Sequence, residues 1–344
     1  MKFWFKWIAI GFLFPVIILF LGLFLYEYWS RIYLAKKYPP PGQLVDVGDS
    51  DSKRLRQRKL HLHCEGEGDV TVVLEDGLGP IGSLGWGKVH PPVAQFTKVC
   101  AYDRAGIMWS DPSPHPPTAD KIAQDLHTAL NQAGINPPYV LVGLSMGGIY
   151  SRVFAERYPD EVVGMILVDS AHPEQEERFP PAPVNLKPSP INLWLTRQLA
   201  TMGILRLSHH LPNPNAKRIP PEMLPKLKAF FPQSVRAVQA EAKLFHENLH
   251  RVKGRKSLGD RPLIVLTAAK PVPLDKVPRG FTKEYLQKER GVWQELQAEL
   301  SALSARSRHI ISEESSHLMY FDQPELIIDA IHDVVNEVLR DHEL

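Results

Sequence analysis

The chain has 344 residues, of which 44% are hydrophobic, and this is enough to build one large core or two smaller ones. Its 40 Lys and Arg residues nearly balance its 38 Asp and Glu residues, so the net charge of +2 does not indicate a nucleic-acid partner. The two cysteines have neither the number nor the spacing of a metal site.

The first 30 residues predict a single-pass transmembrane anchor. No charged residue occurs from Trp7 to Tyr26, and a helix of about 20 residues spans roughly 30 Å, the thickness of the hydrocarbon core of a bilayer. Aromatic residues flank this run, as they do at membrane interfaces: Trp4, Trp7, Tyr26, Tyr28 and Trp29. The alternative is a cleaved signal peptide, whose apolar region would be shorter and followed by small residues. Basic residues lie on both sides of the run, so either orientation in the membrane stays open.

The remaining chain predicts a linker over residues 31–57 and an α/β domain over residues 58–344. Early strands are predicted in RKLHLHCEG, DVTVVLEDG and FTKVCAYDRAG, followed by a helix with Thr118 as its N-cap and Gly134 at its end. Strand and helix patterns alternate up to a last helix that begins at Pro324, which predicts a mostly parallel sheet with helices on both faces. Residues 171–260 have no strand pattern, which indicates a helical lid over the carboxyl ends of the strands.

Ser145 is the predicted nucleophile. It lies in Gly143-Leu144-Ser145-Met146-Gly147, between a predicted strand and a predicted helix, where the G-x-S-x-G pattern makes a tight turn that exposes the serine hydroxyl. The start of the helix also favours a developing oxyanion. The serine needs a base, and His317 lies after the last predicted strand and before the last helix, where this arrangement supplies one.

Five segments carry a resemblance to a known family: VVLEDGLGPIGSLGW, VCAYDRAGIMWSDP, YVLVGLSMGG, AERYPDEVVGMILVDSAHPE and SSHLMYFDQPELIIDAI. From about Arg58 to the C-terminus, except in the lid, the chain resembles the α/β-hydrolase fold family, in particular its membrane-anchored bacterial-type serine hydrolases. The resemblance implies a mostly parallel eight-stranded sheet with a lid after the sixth strand. It also implies an oxyanion hole made by the backbone N–H groups of Met146 and Leu78. Asp76 stands where many relatives have histidine.

The acid of the implied Ser–His–acid triad has two candidates. In most relatives the acid follows the seventh strand, where this chain offers no carboxylate before Asp275. In other relatives, such as pancreatic lipases, it lies at the tip of the sixth strand, where this chain has Asp169. Asp169 is favoured and Asp275 is the alternative, while a structural reading of Asp169 makes it the cap of the first turn of the lid. For Asp103 and Arg104, an ion pair that holds their loop is preferred to a catalytic role.

In this fold the strand that ends near Cys64 lies antiparallel to the strand that contains Cys100. A disulfide between them is one hypothesis, and it would argue that the domain faces an oxidising space. Two reduced, buried thiols are the other.

The expected function is hydrolysis of small-molecule carboxylic esters, with apolar acyl groups suggested by an apolar lid helix over INLWLTRQLATMGILRL. No metal or organic cofactor is implied, and the sequence does not indicate an oligomeric state. An amidase or peptidase is the second reading, with Glu174, Glu176 and Glu177 as candidates to bind an amino terminus. A third is a non-catalytic, membrane-tethered binding protein. Epoxide hydrolases and dehalogenases are disfavoured, because those relatives have aspartate at the position of Ser145.

Overall fold

The computed structural model describes residues 2–48, 58–184, 189–207, 219–254, 257–273 and 277–342. One sheet contains eight strands: β1 (Gln43–Asp46), β2 (Lys59–Glu65), β3 (Thr71–Glu75), β4 (Lys98–Tyr102), β5 (Tyr139–Leu144), β6 (Val162–Val168), β7 (Leu263–Ala268) and β8 (Ser307–Ser312). Their spatial order is β1-β2-β4-β3-β5-β6-β7-β8. The pairs β1–β2 and β2–β4 are antiparallel, and the remaining pairs are parallel. The predicted α/β-hydrolase fold with its mostly parallel eight-stranded sheet is confirmed.

Helices cover both faces of the sheet. The helices of the described residues are α1 (Lys2–Lys37), α2 (His90–Val93), α3 (Ala119–Gln132), α4 (Met146–Arg157), α5 (Gln175–Arg178), α6 (Pro190–Thr201), α7 (Ile204–Leu207), α8 (Leu224–Lys243), α9 (Phe245–His250), α10 (Lys283–Ser301), α11 (Met319–Asp322) and α12 (Pro324–His342), with a 3-10 helix at Gly82–Lys88. Alternate residues of β5 pack on opposite faces of the sheet. Val140 and Val142 belong to the cluster that contains α12, and Leu141 belongs to the cluster that contains α3 and α4. The central strands are therefore buried on both faces, which explains their continuous apolar sequences.

The ends of α3 are those that its sequence predicts. The Thr118 side chain accepts a hydrogen bond from the backbone N–H of Lys121, and Gly134 follows the helix with a φ of 71°. The side chain at the N-cap satisfies one of the free N–H groups of the first turn, and the left-handed conformation at Gly134 reverses the chain. α3 and α4 then pack against one another beside the strand that leads to Ser145.

Residues 31–57 were predicted to be a linker, and this prediction is wrong for much of the segment. α1 continues to Lys37, and β1 pairs with β2 at the edge of the sheet. The base of α1 also packs on the domain, since Leu34 and Tyr38 contact the core and the indole of Trp109 donates a hydrogen bond to the Tyr38 carbonyl at 2.9 Å. The C-terminal end of α1 is therefore packed on the domain and is not connected to it by a free linker.

α1 also contains a helical segment, Leu13–Lys37, that is long and apolar enough to cross a membrane by length and composition. Its mean hydropathy is 1.7 and only 6% of it is buried. Helices α5 to α9 lie between β6 and β7, where the lid was predicted.

Cys64 and Cys100 form a disulfide. They are directly opposite one another in the antiparallel pair β2–β4, with their Cα atoms 4.0 Å apart. This register results from the position of β2 beside β4, and it decides between the two hypotheses for the cysteines in favour of the bond.

Reduction of this disulfide should lower the free energy of unfolding by roughly 2–4 kcal/mol, because the bond restricts the unfolded chain between two positions that are 36 residues apart. Denaturant unfolding of the detergent-solubilised protein, with and without reductant, measures the difference. The double variant Cys64→Ser/Cys100→Ser is the control, since reductant should not change its stability. Two alkylatable thiols in native, unreduced protein would contradict the bond.

Candidate active site

Ser145 occupies a strained turn between β5 and α4. Its φ and ψ are 54° and −122°, a conformation that side-chain-bearing residues rarely adopt. A Cβ atom added to Gly143 would lie 2.6 Å from the Gly147 carbonyl carbon, and one added to Gly147 would lie 2.4 Å from the Glu75 carbonyl oxygen. The two glycines are therefore required by close backbone approach, as the sequence pattern predicts. The Ser145 N–H donates to the Val168 carbonyl at 3.1 Å and fixes the turn to β6.

The side chains of His317 and Asp169 are in contact with one another. The Nδ1 atom of His317 lies 2.6 Å from the Oδ2 atom of Asp169. The other carboxylate oxygen of Asp169 accepts hydrogen bonds from the Ala268 N–H at 3.0 Å and from the Trp293 indole at 2.8 Å. Asp169 is buried and also has a positive φ of 42°. The carboxylate is thus held in one orientation by β7 and α10, with one oxygen left for the imidazole.

Three of the predicted site residues lie at the carboxyl ends of β5, β6 and β8: His317 contacts Asp169, and Ser145 and His317 line one cavity. Asp275, the alternative acid, lies outside the described residues. Trp293 was not singled out from the sequence, where it belongs to the amphipathic pattern of α10. An indole is a donor that a buried carboxylate can use, but the sequence does not show that α10 places Trp293 beside the end of β6.

The pKa of His317 is raised above its ordinary value. Burial by itself lowers this pKa, but the hydrogen bond and the negative charge of Asp169, with a further contribution from Asp76, outweigh the effect of burial. Half of the side-chain surface is accessible, because the ring opens onto a cavity. The protonated form of His317 is therefore stabilised by its carboxylate partner.

A cavity of about 460 Å³ lies over Ser145. Both Ser145 and His317 line it, together with the loop after β3. Most of the remaining lining is apolar and comes from the loop, the lid and the segment around α11: Leu78, Pro80, Ile81, Leu144, Phe231, Val235, Val238, Leu318 and Tyr320. The volume and the apolar lining suit an extended apolar group adjacent to the serine hydroxyl.

The loop after β3 approaches the serine closely. A Cβ atom added to Gly77 would lie 3.1 Å from the Cβ atom of Ser145, so glycine is needed here for the loop to approach. Leu78 follows and lines the cavity, while Met146 is the first residue of α4. The two residues predicted to supply backbone donors thus flank Ser145 from the loop and from the helix.

Arg104 ties this loop to the lid, a role that the sequence did not predict. Its guanidinium donates to the carbonyls of Asp76 and Gly77, at 2.7 Å each. It also pairs with Glu75 at 2.8 Å and with Glu241 of α8 at 2.9 Å. The predicted ion pair with Asp103 is thus corrected. Asp103 instead contacts His61 at 2.8 Å, because Arg104 is drawn into a buried cluster that contains two other carboxylates.

A second group of metal-ligand types lies at the opposite end of the sheet. His63, Glu65 and His90 have ligand atoms within 4.8 Å of one another. The two imidazole rings are stacked, with centroids 4.5 Å apart and planes at 16°. A metal ion lies near the plane of each imidazole that binds it, so stacked rings do not aim their nitrogens at one ion. We therefore assign no metal to this group.

The family model described as the alpha/beta hydrolase family matches residues 62–330. The chain belongs to the alpha/beta hydrolase family. Among curated proteins, it is 26% identical over 270 residues to YqjL of Bacillus subtilis, an uncharacterized protein, across 78% of this chain and 85% of that one. It is 43% identical to an uncharacterized protein of Schizosaccharomyces pombe over 82 residues, which are 24% of this chain and only 15% of that protein.

Solved structures show the same fold. An esterase from Thermogutta terrifontis superposes with a TM-score of 0.57 at 21% identity, over 86% of this chain and 99% of that one. The epoxide hydrolase CorEH superposes with a TM-score of 0.55 at 17% identity, over 82% and 96%. Neighbours of different activity thus share one architecture at low identity, so the chemistry must be argued from the residues of the site.

Asp76 has a raised pKa, and this shift can be tested. Burial raises its pKa to about 7, against the opposing effects of Arg104 and the Gly77 N–H, while Glu75 and Asp103 raise it further. The folded protein therefore retains a proton that the unfolded chain loses near pH 3.8. This contribution to stability is complete at lower pH and is lost as the pH rises towards 7.

The variant Asp76→Asn cannot lose that proton, so its stability relative to wild type should increase between about pH 4 and pH 7. Urea unfolding at several pH values across this range measures the change. Asp260 is exposed, and Asp260→Asn should show no such trend. A difference between Asp76→Asn and wild type that is constant with pH would contradict the assignment.

Proposed function

We propose that the protein is a membrane-anchored serine hydrolase that cleaves carboxylic esters with apolar acyl groups. Family membership supports a hydrolase activity. The observation that carries the proposal is the hydrogen bond between His317 and Asp169 beside the strained turn of Ser145. A serine exposed on such a turn, with an imidazole oriented by a buried carboxylate, is the arrangement that activates a hydroxyl nucleophile.

In the proposed reaction, the Ser145 hydroxyl attacks the ester carbonyl and His317 accepts its proton at Nε2. The negative charge that develops on the carbonyl oxygen is stabilised by the N–H groups of Met146 and Leu78. His317 then gives the proton to the departing alkoxide, which leaves an acyl-enzyme. A water molecule, deprotonated by His317, attacks the acyl carbonyl. The bond between the acyl group and the Ser145 Oγ then breaks, His317 returns the proton to Oγ, and the carboxylic acid leaves. Asp169 accepts a hydrogen bond from the Nδ1–H of His317 and stabilises the charged imidazole, but it does not take the proton.

The lining of the cavity supports the substrate class. Its mainly apolar side chains favour an acyl chain over a charged metabolite, since most of the lining offers no partner to a charged group that loses its hydration. The first alternative, an amidase or peptidase, needs free carboxylates to bind an amino terminus. Glu176 pairs with His246 at 2.7 Å and Glu177 pairs with Lys253 at 2.7 Å, both on the exterior of the lid. These carboxylates are not among the residues that line the cavity, and this favours the ester.

The alternative of a non-catalytic binding protein was based on Asp76 and on the displaced acid. The contact of Asp169 with His317 weakens the second reason, because a binding protein has no need of an oriented imidazole. Asp76 remains compatible with catalysis, since the proposed donor is the backbone of Leu78.

We further propose that α1 crosses a membrane and that the hydrolase domain faces an oxidising space. The apolar, exposed segment of α1 supports the anchor, and the Cys64–Cys100 disulfide supports the compartment, since such bonds rarely persist in a reducing cytosol. Partial matches to an uncharacterized vacuolar membrane protein of Saccharomyces cerevisiae, 40% identical over 23% of this chain, are consistent with a membrane location.

Ser145→Ala should abolish ester hydrolysis, because no other hydroxyl occupies the turn. The assay is a series of p-nitrophenyl esters of increasing acyl length, run beside aminoacyl anilides. Wild type should prefer medium or long acyl esters to anilides. Ser151 is a buried serine of α4, the helix that follows Ser145. It provides the matched control, and Ser151→Ala should retain activity. Faster cleavage of anilides than of esters would favour the amidase.

Asp169→Asn tests the role of the carboxylate. Hydrolysis should rise with pH as His317 loses its proton, because only the neutral imidazole acts as a base. Without the charge of Asp169, the pKa of His317 falls, so the midpoint of the kcat/KM profile should move to lower pH. The plateau should also fall by about a thousandfold or more. The exposed Asp160 provides the control Asp160→Asn. A loss of activity without a shifted midpoint would contradict the proposed contact.

A further inference from the structure

Helix α6 separates the catalytic cavity from the exterior. Its inner side faces the cavity through Thr196, and the Leu193 carbonyl accepts a hydrogen bond from Gln239 of α8 at 3.0 Å. Its outer side carries Ile191, Trp194 and Leu195, which are 74%, 61% and 45% exposed. Trp194 and Leu195 follow Ile191 by three and four positions, so the three side chains form one apolar stripe along the helix.

Such exposure is concentrated on the lid. Outside α1, the described surface has seven large hydrophobic side chains that are exposed, and four of them belong to α6 and α7. They are Ile191, Trp194, Leu195 and Leu207. Single exposed apolar residues are ordinary, but a group on neighbouring short helices marks a surface that another phase or molecule covers.

The lid is joined to α1 beside this group. Arg206 of α7 pairs with Glu27 of α1, with an N–O distance of 2.9 Å, and Glu27 is only 7% exposed. Gly203 lies against the same turn, since a Cβ atom added there would be 3.1 Å from the Cβ atom of Glu27 and 3.1 Å from the Tyr26 ring. A buried, hydrogen-bonded ion pair fixes the position of the lid along α1.

The contact lies at the level where the exposed residues of α1 change from aliphatic and Phe side chains to Tyr and Trp. Exposed Tyr and Trp side chains of α1 begin at Tyr26 and continue at Tyr28, Trp29 and Tyr33, whereas the exposed residues from Leu13 to Leu25 are apolar and include only Phe as aromatic residues. Aromatic side chains of this kind mark the boundary between hydrocarbon and headgroups. The lid therefore meets α1 at the predicted surface of the bilayer, and α6 ends at Thr201, directly before this contact.

We propose that α6 docks on the bilayer that holds α1, with Ile191, Trp194 and Leu195 inserted at the level of the lipid headgroups. The proposal rests on the anchor and the esterase activity proposed above, and it names their substrate class: an acyl ester dissolved in the membrane. Tryptophan favours this interfacial depth, and the exposed Arg197 lies where it meets lipid phosphates.

The arrangement gives the substrate a short path. Because one helix has the bilayer on one side and the cavity on the other, an acyl ester that leaves the lipid beside α6 reaches Ser145 without crossing bulk water. The cost of exposing an acyl chain to water is thereby avoided. Glu27 and Arg206 act in this account only by fixing the height of the lid.

The test places a nitroxide label on the full chain in lipid nanodiscs. The variant Trp194→Cys is labelled, with Cys64 and Cys100 oxidised in their disulfide, and its collision rates with oxygen and with a water-soluble nickel chelate are measured. We expect high oxygen and low nickel accessibility, as for a site among lipids. The control is Asp160→Cys, at an exposed position in the turn after α4, which should be accessible to nickel.

Nickel accessibility at position 194 equal to that at position 160 would overturn the docking. Shielding from both reagents would also overturn it, because that result indicates a protein partner, such as a second copy of the chain. The measurement does not depend on catalysis, so it separates a failure of docking from a failure of the proposed esterase.

The second arm measures hydrolysis by Trp194→Glu. Ester embedded in liposomes should be cleaved roughly tenfold more slowly or worse, because the charge opposes insertion. A soluble short-chain ester should be cleaved at the wild-type rate. Equal rates of the variant and wild type on the embedded ester would contradict delivery through α6. If wild type cleaves neither ester, the esterase proposal fails, and the nitroxide result alone decides the docking.

Discussion

The turn at Ser145 is the constraint on which the site depends. Three backbone segments converge there, since Gly143 faces Gly147 and Gly147 faces Glu75 at distances that no side chain permits. The conformation at Ser145 is unfavourable for a serine, and it persists because β5, α4 and the end of β6 determine it together. Asp169, at the end of β6, has a positive φ as well. Backbone strain is thus concentrated at two residues of the proposed triad.

The buried cluster around Arg104 connects this turn to the lid. One guanidinium binds the two carbonyls before Leu78 and also the carboxylate of Glu241 on α8. All of its partners are buried, so the cluster is stable only when the loop after β3 and the lid are both in place. The lid in turn contacts α1 through Arg206 and Glu27. A continuous set of polar contacts and packed helices therefore extends from α1 to the loop beside Ser145.

Much of this architecture was predictable because local patterns specify it. The G-x-S-x-G pattern, the end of β6 at Asp169 and the loop before Pro324 each indicate a residue of the proposed triad from its neighbours in sequence. Residues that act across long separations were not predictable in this way. Trp293 reaches Asp169 over 124 positions and Glu241 reaches Arg104 over 137. Their side-chain types suit many buried or surface roles, and only the packing of α8 and α10 shows which role applies. The strand β1 was missed because four residues at a sheet edge carry little pattern.

The most direct measurement is to map the covalent adduct of a fluorophosphonate on the folded full-length protein by tandem mass spectrometry. The account predicts one modified residue, Ser145, and modification that slows strongly when His317 is replaced by alanine. A fluorophosphonate reaction at another residue, or a reaction at Ser145 that does not depend on His317, would contradict the claim that this turn and this imidazole form one nucleophilic centre.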